Sequence, residues 1–260
     1  MTKHRIWQGL VVAAVLGTIV MNALANIVPF NGQQTGDVSD KYPVLFVPAG
    51  YVFSIWGVIY AGLIGYAVFQ ALPAQATNLR LERIRGWVLL NLVANSIWLL
   101  LFHFELLALS VAVITFMLLS LIVIYLRLEV GRTAVSTAER WLAHVPFTLY
   151  LAWLTVATIA NISVWLYSLQ WSGLGLSAAA WTNTLLVVAT AISVALSLKN
   201  RDAVFITVPL WAFVGIAVKQ AAVPSVAFTA ATMAGVTALT CVVIVARAFG
   251  RRKRLAPQLT

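Results

Sequence analysis

Eight apolar runs divide the chain, each close to the ~20 residues that a helix needs to cross a ~30 Å hydrocarbon core. They cover about 6–28, 49–72, 87–104, 106–126, 143–167, 176–198, 203–222 and 225–247. Inside lipid every backbone N–H and C=O must be satisfied within the spanning structure, which leaves helices or a closed barrel. Runs of this length predict an all-α fold, a polytopic membrane bundle of about eight transmembrane helices. Charge agrees, because 9% of the 260 residues are charged and 62% are hydrophobic, whereas a soluble protein is roughly 25% charged.

The net charge of +10 would suit nucleic acid if the cations were gathered on one face. They lie instead between the apolar runs and at the chain ends, so no nucleic-acid partner is expected and membrane lipid is. With eight spans, all of the 17 Lys and Arg except Lys41 and Lys219 fall on one side. The positive-inside rule then puts both termini in the cytoplasm, with a bacterial plasma membrane as the expected location. The first run also admits a second reading: Lys3 and Arg5 ahead of an apolar stretch and Ala23-Leu24-Ala25 resemble a signal peptide. Its length favours a retained helix.

Little in the sequence suggests catalysis. Cys241 is the single cysteine, and His4, His103 and His144 stand far apart, so no disulfide, metal centre or required cofactor is expected. There is no paired carboxylate within a span, no Ser-His-Asp set and no Gly-rich phosphate loop. His103 and Glu105 share a short external turn that reads as solvated, and Lys219 reads as a snorkelling side chain. An enzyme is therefore not expected.

The informative residues form stripes. In the fifth run Trp153, Ala157, Asn161 and Trp165 recur every four residues, so a helix stacks them on one face. A buried amide is expensive in hydrocarbon, so Asn161 must point at other helices or at a ligand. The third run repeats the pattern with Asn91, Asn95, Trp98 and Phe102, and the second with Phe53, Trp56 and Tyr60. Helix packing alone more often uses small residues. Aromatic walls with a few fixed amides suit a flat, largely apolar molecule.

These stripes resemble those of the TspO/translocator-protein family of tryptophan-rich sensory proteins. The family's fifth helix has Trp, Ala, Asn and Trp at the steps of Trp153, Ala157, Asn161 and Trp165. Its third has Gln-x-x-x-Asn-x-x-Trp-x-x-x-Phe, matched here with Asn91 in place of Gln. In the second, Trp56 and Tyr60 keep the Trp-to-Tyr step, but Tyr51 replaces a Trp, the internal Pro is missing and one residue fewer precedes Trp56. Where the family has Pro-Tyr-Leu-x-Trp, Leu149 stands for the Pro and Pro146 lies three residues earlier. The long external loop 29–48 takes the place of the family's cavity cover, with Phe46-Val47-Pro48 standing for Trp-x-Pro.

The resemblance rests on about residues 6–168 and leaves the last three spans outside it. It implies a five-helix domain at 1–170, to which 171–250 would add three helices and 251–260 a basic cytoplasmic tail. It also implies a ligand site of Trp56, Tyr60, Asn91, Asn95, Trp98, Trp153, Ala157 and Asn161, with Phe46, Pro48 and Tyr51 as lid. The implied ligand class is a tetrapyrrole of the protoporphyrin or haem type, bound for sensing or transport, and a homodimer is allowed. A carrier or exporter of a lipid or isoprenoid compound, or an enzyme modifying one, are the alternatives.

Overall fold

A computed structural model describes residues 2–28 and 30–255. Pro29, the first residue of the loop 29–48, and the last five residues of the basic tail, 256–260, lie outside them. The helices are α1 (Thr2–Ile27), α2 (Thr35–Asp40), α3 (Ile55–Ala71), α4 (Leu79–His103), α5 (Leu107–Arg127), α6 (Thr137–Glu139), α7 (Val145–Ser168), α8 (Ala178–Asn200), α9 (Ala203–Lys219) and α10 (Pro224–Leu255). A 3-10 turn, Gly50–Ser54, leads into α3, and a π turn, Arg140–His144, leads into α7. No strand occurs among the described residues.

Seven of these helical segments are long and apolar enough to cross a membrane. The protein is a multi-pass membrane protein. The remaining predicted span, 203–222, is α9, whose 17 residues reach about 25 Å at 1.5 Å per residue, slightly short of a full crossing. Helix α4 starts eight residues before its predicted span. Asn78 caps it, its Oδ1 accepting from the N–H groups of Arg80 (3.1 Å) and Leu81 (3.4 Å). A hydropathy reading stops at Arg85 and Arg83, but a cap and good helix formers carry the backbone past the edge of the apolar run.

Helices α1, α3, α4, α5 and α7 form one bundle, with α4 between α1 and α5 and with α7 against α5 and α3. Helix α1 is tied in by polar side chains. Gln8 Nε2 donates to the Gln70 carbonyl (2.6 Å), Gln70 Nε2 donates back to the Gln8 carbonyl (3.0 Å), and Thr18 Oγ1 donates to the Leu92 carbonyl (3.1 Å). Helix α1 thus packs against α3 and α4 through both apolar and polar contacts.

Helices α8, α9 and α10 pack on one another, and α9 carries their main contact to the five-helix bundle, through α7 and the Gly50–Ser54 turn. Gly215 makes that approach possible: a Cβ there would lie 2.1 Å from Val52 Cγ2. The Ala49 N–H donates to its carbonyl at 3.2 Å. At the opposite, basic end, Asp202 is the junction. Its Oδ1 caps α9 by accepting from Val204 N (3.0 Å) and Phe205 N (3.2 Å), while Oδ2 accepts from Tyr125 (2.9 Å) and Thr148 (3.2 Å).

Gly215→Ala should therefore lower the thermal unfolding midpoint in detergent, by the equivalent of about 1–3 kcal/mol of overpacking. Gly235→Ala, on α10 with nothing within 4 Å of an added Cβ, should leave the midpoint unchanged or raise it slightly. Equal behaviour of the two variants would remove Gly215 from the seam between the helix groups.

Candidate functional site

The stripe on α4 is where the helices are joined. Asn91, Asn95 and Trp98 lie on successive turns of one side, and each reaches a different neighbour. Asn91 Nδ2 donates to the Met117 carbonyl (3.0 Å) and to Ser120 Oγ (2.7 Å) on α5. Asn95 Nδ2 donates to Tyr150 Oη on α7 (2.9 Å), and its Oδ1 accepts from Asn22 on α1 (3.0 Å). Trp98 Nε1 donates to Asn161 Oδ1 on α7 (2.8 Å), and Asn161 Nδ2 donates to Ser110 Oγ on α5 (3.0 Å). Of the two partners open to Asn161 from its sequence, the structure supplies the other helices.

Beside these bonds lies an aromatic cluster. Trp56 stacks on Tyr60 one turn away, with centroids 5.4 Å apart and planes at 18°. It also meets the edges of Tyr150 (5.7 Å) and Trp153 (6.2 Å), while Phe53 meets Trp153 at 5.9 Å. Across from them Trp98 stacks on Phe102 at 5.2 Å. Edge-to-face pairs of this kind hold each ring in one orientation. Two polar groups in the cluster remain unspent, since Tyr60 Oη and Trp153 Nε1 are buried with no hydrogen-bond partner.

Two adjoining cavities share Thr35, Phe53, Trp56 and Trp98 as walls. The larger, about 640 Å³, lies at the end that carries α2 and is also walled by Tyr60, Asn22 and Asn26. The smaller, about 40 Å³, is bounded by Trp153, Ala157, Asn161 and Pro48. The first has the size of a small-molecule site; the second holds about one water. The structure thus brings Trp56, Tyr60, Trp98, Trp153, Ala157, Asn161 and Pro48 together. Asn91 and Asn95 border neither cavity, because Asn91 faces α5 and Asn95 bridges α1 and α7.

Of the expected lid, Phe46 is fully buried and borders neither cavity, and Tyr51 packs on Trp211 at 5.3 Å. The cover is α2, whose Gln34, Thr35, Asp37 and Asp40 line the larger cavity. At its start Asp37 Oδ2 accepts from the Gln34 N–H at 2.9 Å, but Gln-x-x-Asp is not the Ser/Thr-x-x-Glu/Gln pattern that marks a helix start in a sequence.

The cover is pinned from both sides. Glu105, in the tight turn between α4 and α5, accepts from Lys41, from Tyr42 Oη (2.9 Å) and from Gln33 Nε2 (3.3 Å). His103 is fully buried, and its carbonyl accepts from Asn31 Nδ2 (3.1 Å). The turn that read as solvated is therefore an anchor. Lys219 reaches back from the end of α9 to pair with Asp40, so it docks on the cover as well as extending toward water.

Hydrogen bonds from Lys41 and then Tyr42 hold the Glu105 carboxyl below its ordinary range. Burial, followed by the Glu105 hydrogen bond, raises the Tyr42 hydroxyl. A depressed carboxyl stabilises the fold above its unfolded pKa, and that contribution is lost as pH falls through the folded value. The segment 30–48 should accordingly become susceptible to limited proteolysis below about pH 4, and Glu105→Gln should show the same cleavage at neutral pH. Resistance of that variant would mean that the anchor lies elsewhere. For the inner tie, Asn161→Leu strands the buried Trp98 N–H, which should cost about 1–3 kcal/mol of stability. An unchanged melting curve would show that the bond contributes nothing.

Among the described residues no group of three or more His, Cys, Asp or Glu stands close enough to hold a metal ion. Comparison with curated proteins returned no match, and neither did comparison with solved structures. Comparison with protein families matched residues 8–243 to the family described as TSPO-like protein. The match runs well past residue 168, where the motif resemblance stops, and through α8, α9 and most of α10. By that match over most of its length, the chain belongs to the TSPO-like protein family.

Proposed function

We propose that this protein binds a flat, largely apolar molecule in the outer cavity, beneath α2, for sensing or transport. The observation that carries the reading is the cavity of about 640 Å³ with Trp56, Tyr60 and Trp98 in its walls. Aromatic faces supply contact area to a planar ligand, while the unspent Tyr60 Oη is a group able to set its orientation. Tetrapyrroles are the class that the family resemblance implies. The ligand is read as cargo or signal, with no catalytic step and no resident cofactor. The charge asymmetry supports a bacterial plasma-membrane protein with both termini in the cytoplasm.

The lining adds a constraint on the ligand. Its charged members are Asp37 and Asp40, and it contains no Lys, Arg or His, so free carboxylates are disfavoured. Titration of the purified protein with a porphyrin, followed through the pigment's absorption band, tests both points. Trp56→Leu and Trp98→Leu should each weaken binding roughly fivefold, on the order of 1 kcal/mol per stacking contact, and Trp7→Leu should not. The porphyrin dimethyl ester should bind more tightly than the free di-acid. Equal affinity of all three variants would signify partitioning into detergent and remove the site.

A further inference from the structure

The basic end of the molecule holds a second cavity, of about 570 Å³, on the seam between the five-helix bundle and the last three helices. Its polar wall combines Arg140, His144, Arg201 and Asp202 with Asn200. Two of these residues are more than nine-tenths buried with an unpartnered polar atom, His144 Nε2 and Asn200 Oδ1. His144 Nε2 stands 4.0 Å from Glu139 Oε1, beyond hydrogen-bond reach. Buried polar atoms without partners are uncommon, and each calls for an explanation.

The charges are arranged in favour of an anion. Of the carboxylates near the cavity, Glu139 and Asp202 are already engaged, and Glu129, next to the lining residue Val130, lies near enough to act on Arg80. Glu139 is held by Arg80 through Nε (2.7 Å) and Nη2 (3.1 Å). Asp202 accepts from two backbone N–H groups, from Tyr125 and from Thr148. Arg140 and Arg201, by contrast, have no ion pair among the described residues. Guanidinium groups take phosphate in a forked geometry.

The opposite wall is apolar, formed by Val204 with Ile244, Val245, Ala248 and Phe249 of α10. Val245 and Phe249 are also exposed on the outside of the helix, so this wall continues onto the lipid-facing surface. A small hydrophilic anion would leave it without a partner. From the two walls together we infer that this cavity is a binding site for an anionic phospholipid. The phosphate lies between Arg140 and Arg201, His144 and Asn200 bond its polar neighbours, and an acyl chain lies along Ile244, Val245 and Phe249. Basic recesses between transmembrane helices on the positive side are suited to such head groups. The lipid would then join the two helix groups at the end where Asp202 already bridges them.

The test uses the full chain in neutral detergent, with phosphatidylglycerol, phosphatidylcholine and inorganic phosphate as probes. Bound lipid is counted by native mass spectrometry, and thermal midpoints are recorded alongside. Phosphatidylglycerol should bind at about one per protein and raise the midpoint, with phosphatidylcholine and phosphate doing neither. Arg140→Gln and Arg201→Asn should each weaken it roughly fivefold; Asn suits the left-handed backbone of residue 201 (φ 52). Phe249→Ser, which keeps both arginines, should also weaken it. The same loss in Arg5→Gln, or equal binding of the two lipids, would reduce the effect to general surface attraction and overturn the site. Midpoint shifts matched by phosphate alone and unaffected by Phe249→Ser would make it a free-anion site and overturn the lipid assignment.

Discussion

Lipid tails are as apolar as leucine, so burying apolar surface does not tell membrane helices which neighbour to choose or in what register. Here the choice is made by hydrogen bonds that cross between helices, and α4 is their hub. Asn91 ties it to α5, Asn95 to α1 and α7, and Trp98 to α7 through Asn161. Each bond is modest on its own, but an amide left alone in hydrocarbon is costly. The register that pairs all of them at once is therefore strongly preferred. The same register sets Trp56, Trp153 and Trp98 around a common space.

This has a consequence for the chemistry of the outer cavity. The amides that look like ligand donors are spent on neighbouring helices, which leaves ring faces on this cavity and Tyr60 Oη as an unpartnered polar atom beside it. Rings locked edge-to-face present fixed surfaces at little further entropic cost. The charged residues at the wall of this cavity are Asp37 and Asp40 of α2.

The last three helices act on that mouth from a distance. Gly215 lets α9 lie against the turn before α3, and Lys219 at its end holds Asp40 on the cover. At the other end of the bundle, Asp202 starts α9 while accepting from α5 and α7. Helix α9 thus runs from Asp40 on α2 to the basic-end cavity, with Pro209 within it.

How much of this was readable from the chain depends on the range of the interaction. Apolar runs, basic connections and four-residue stripes are local patterns, so the sequence by itself determined the all-α membrane bundle, the approximate place of its long helices and the candidate Trp and Asn positions. The partner of an amide is not local. The sequence left Asn161 open between a ligand and a helix, and only the tertiary structure supplied Trp98, 63 residues away. It likewise decided that Asn91 faces α5, that the cover is α2 with Phe46 and Tyr51 outside it, and that Lys219 docks on Asp40 across 179 residues. A period of 3.6 states which residues share a side of a helix. What that side meets is settled only when the helices pack together and their buried polar groups compete for partners.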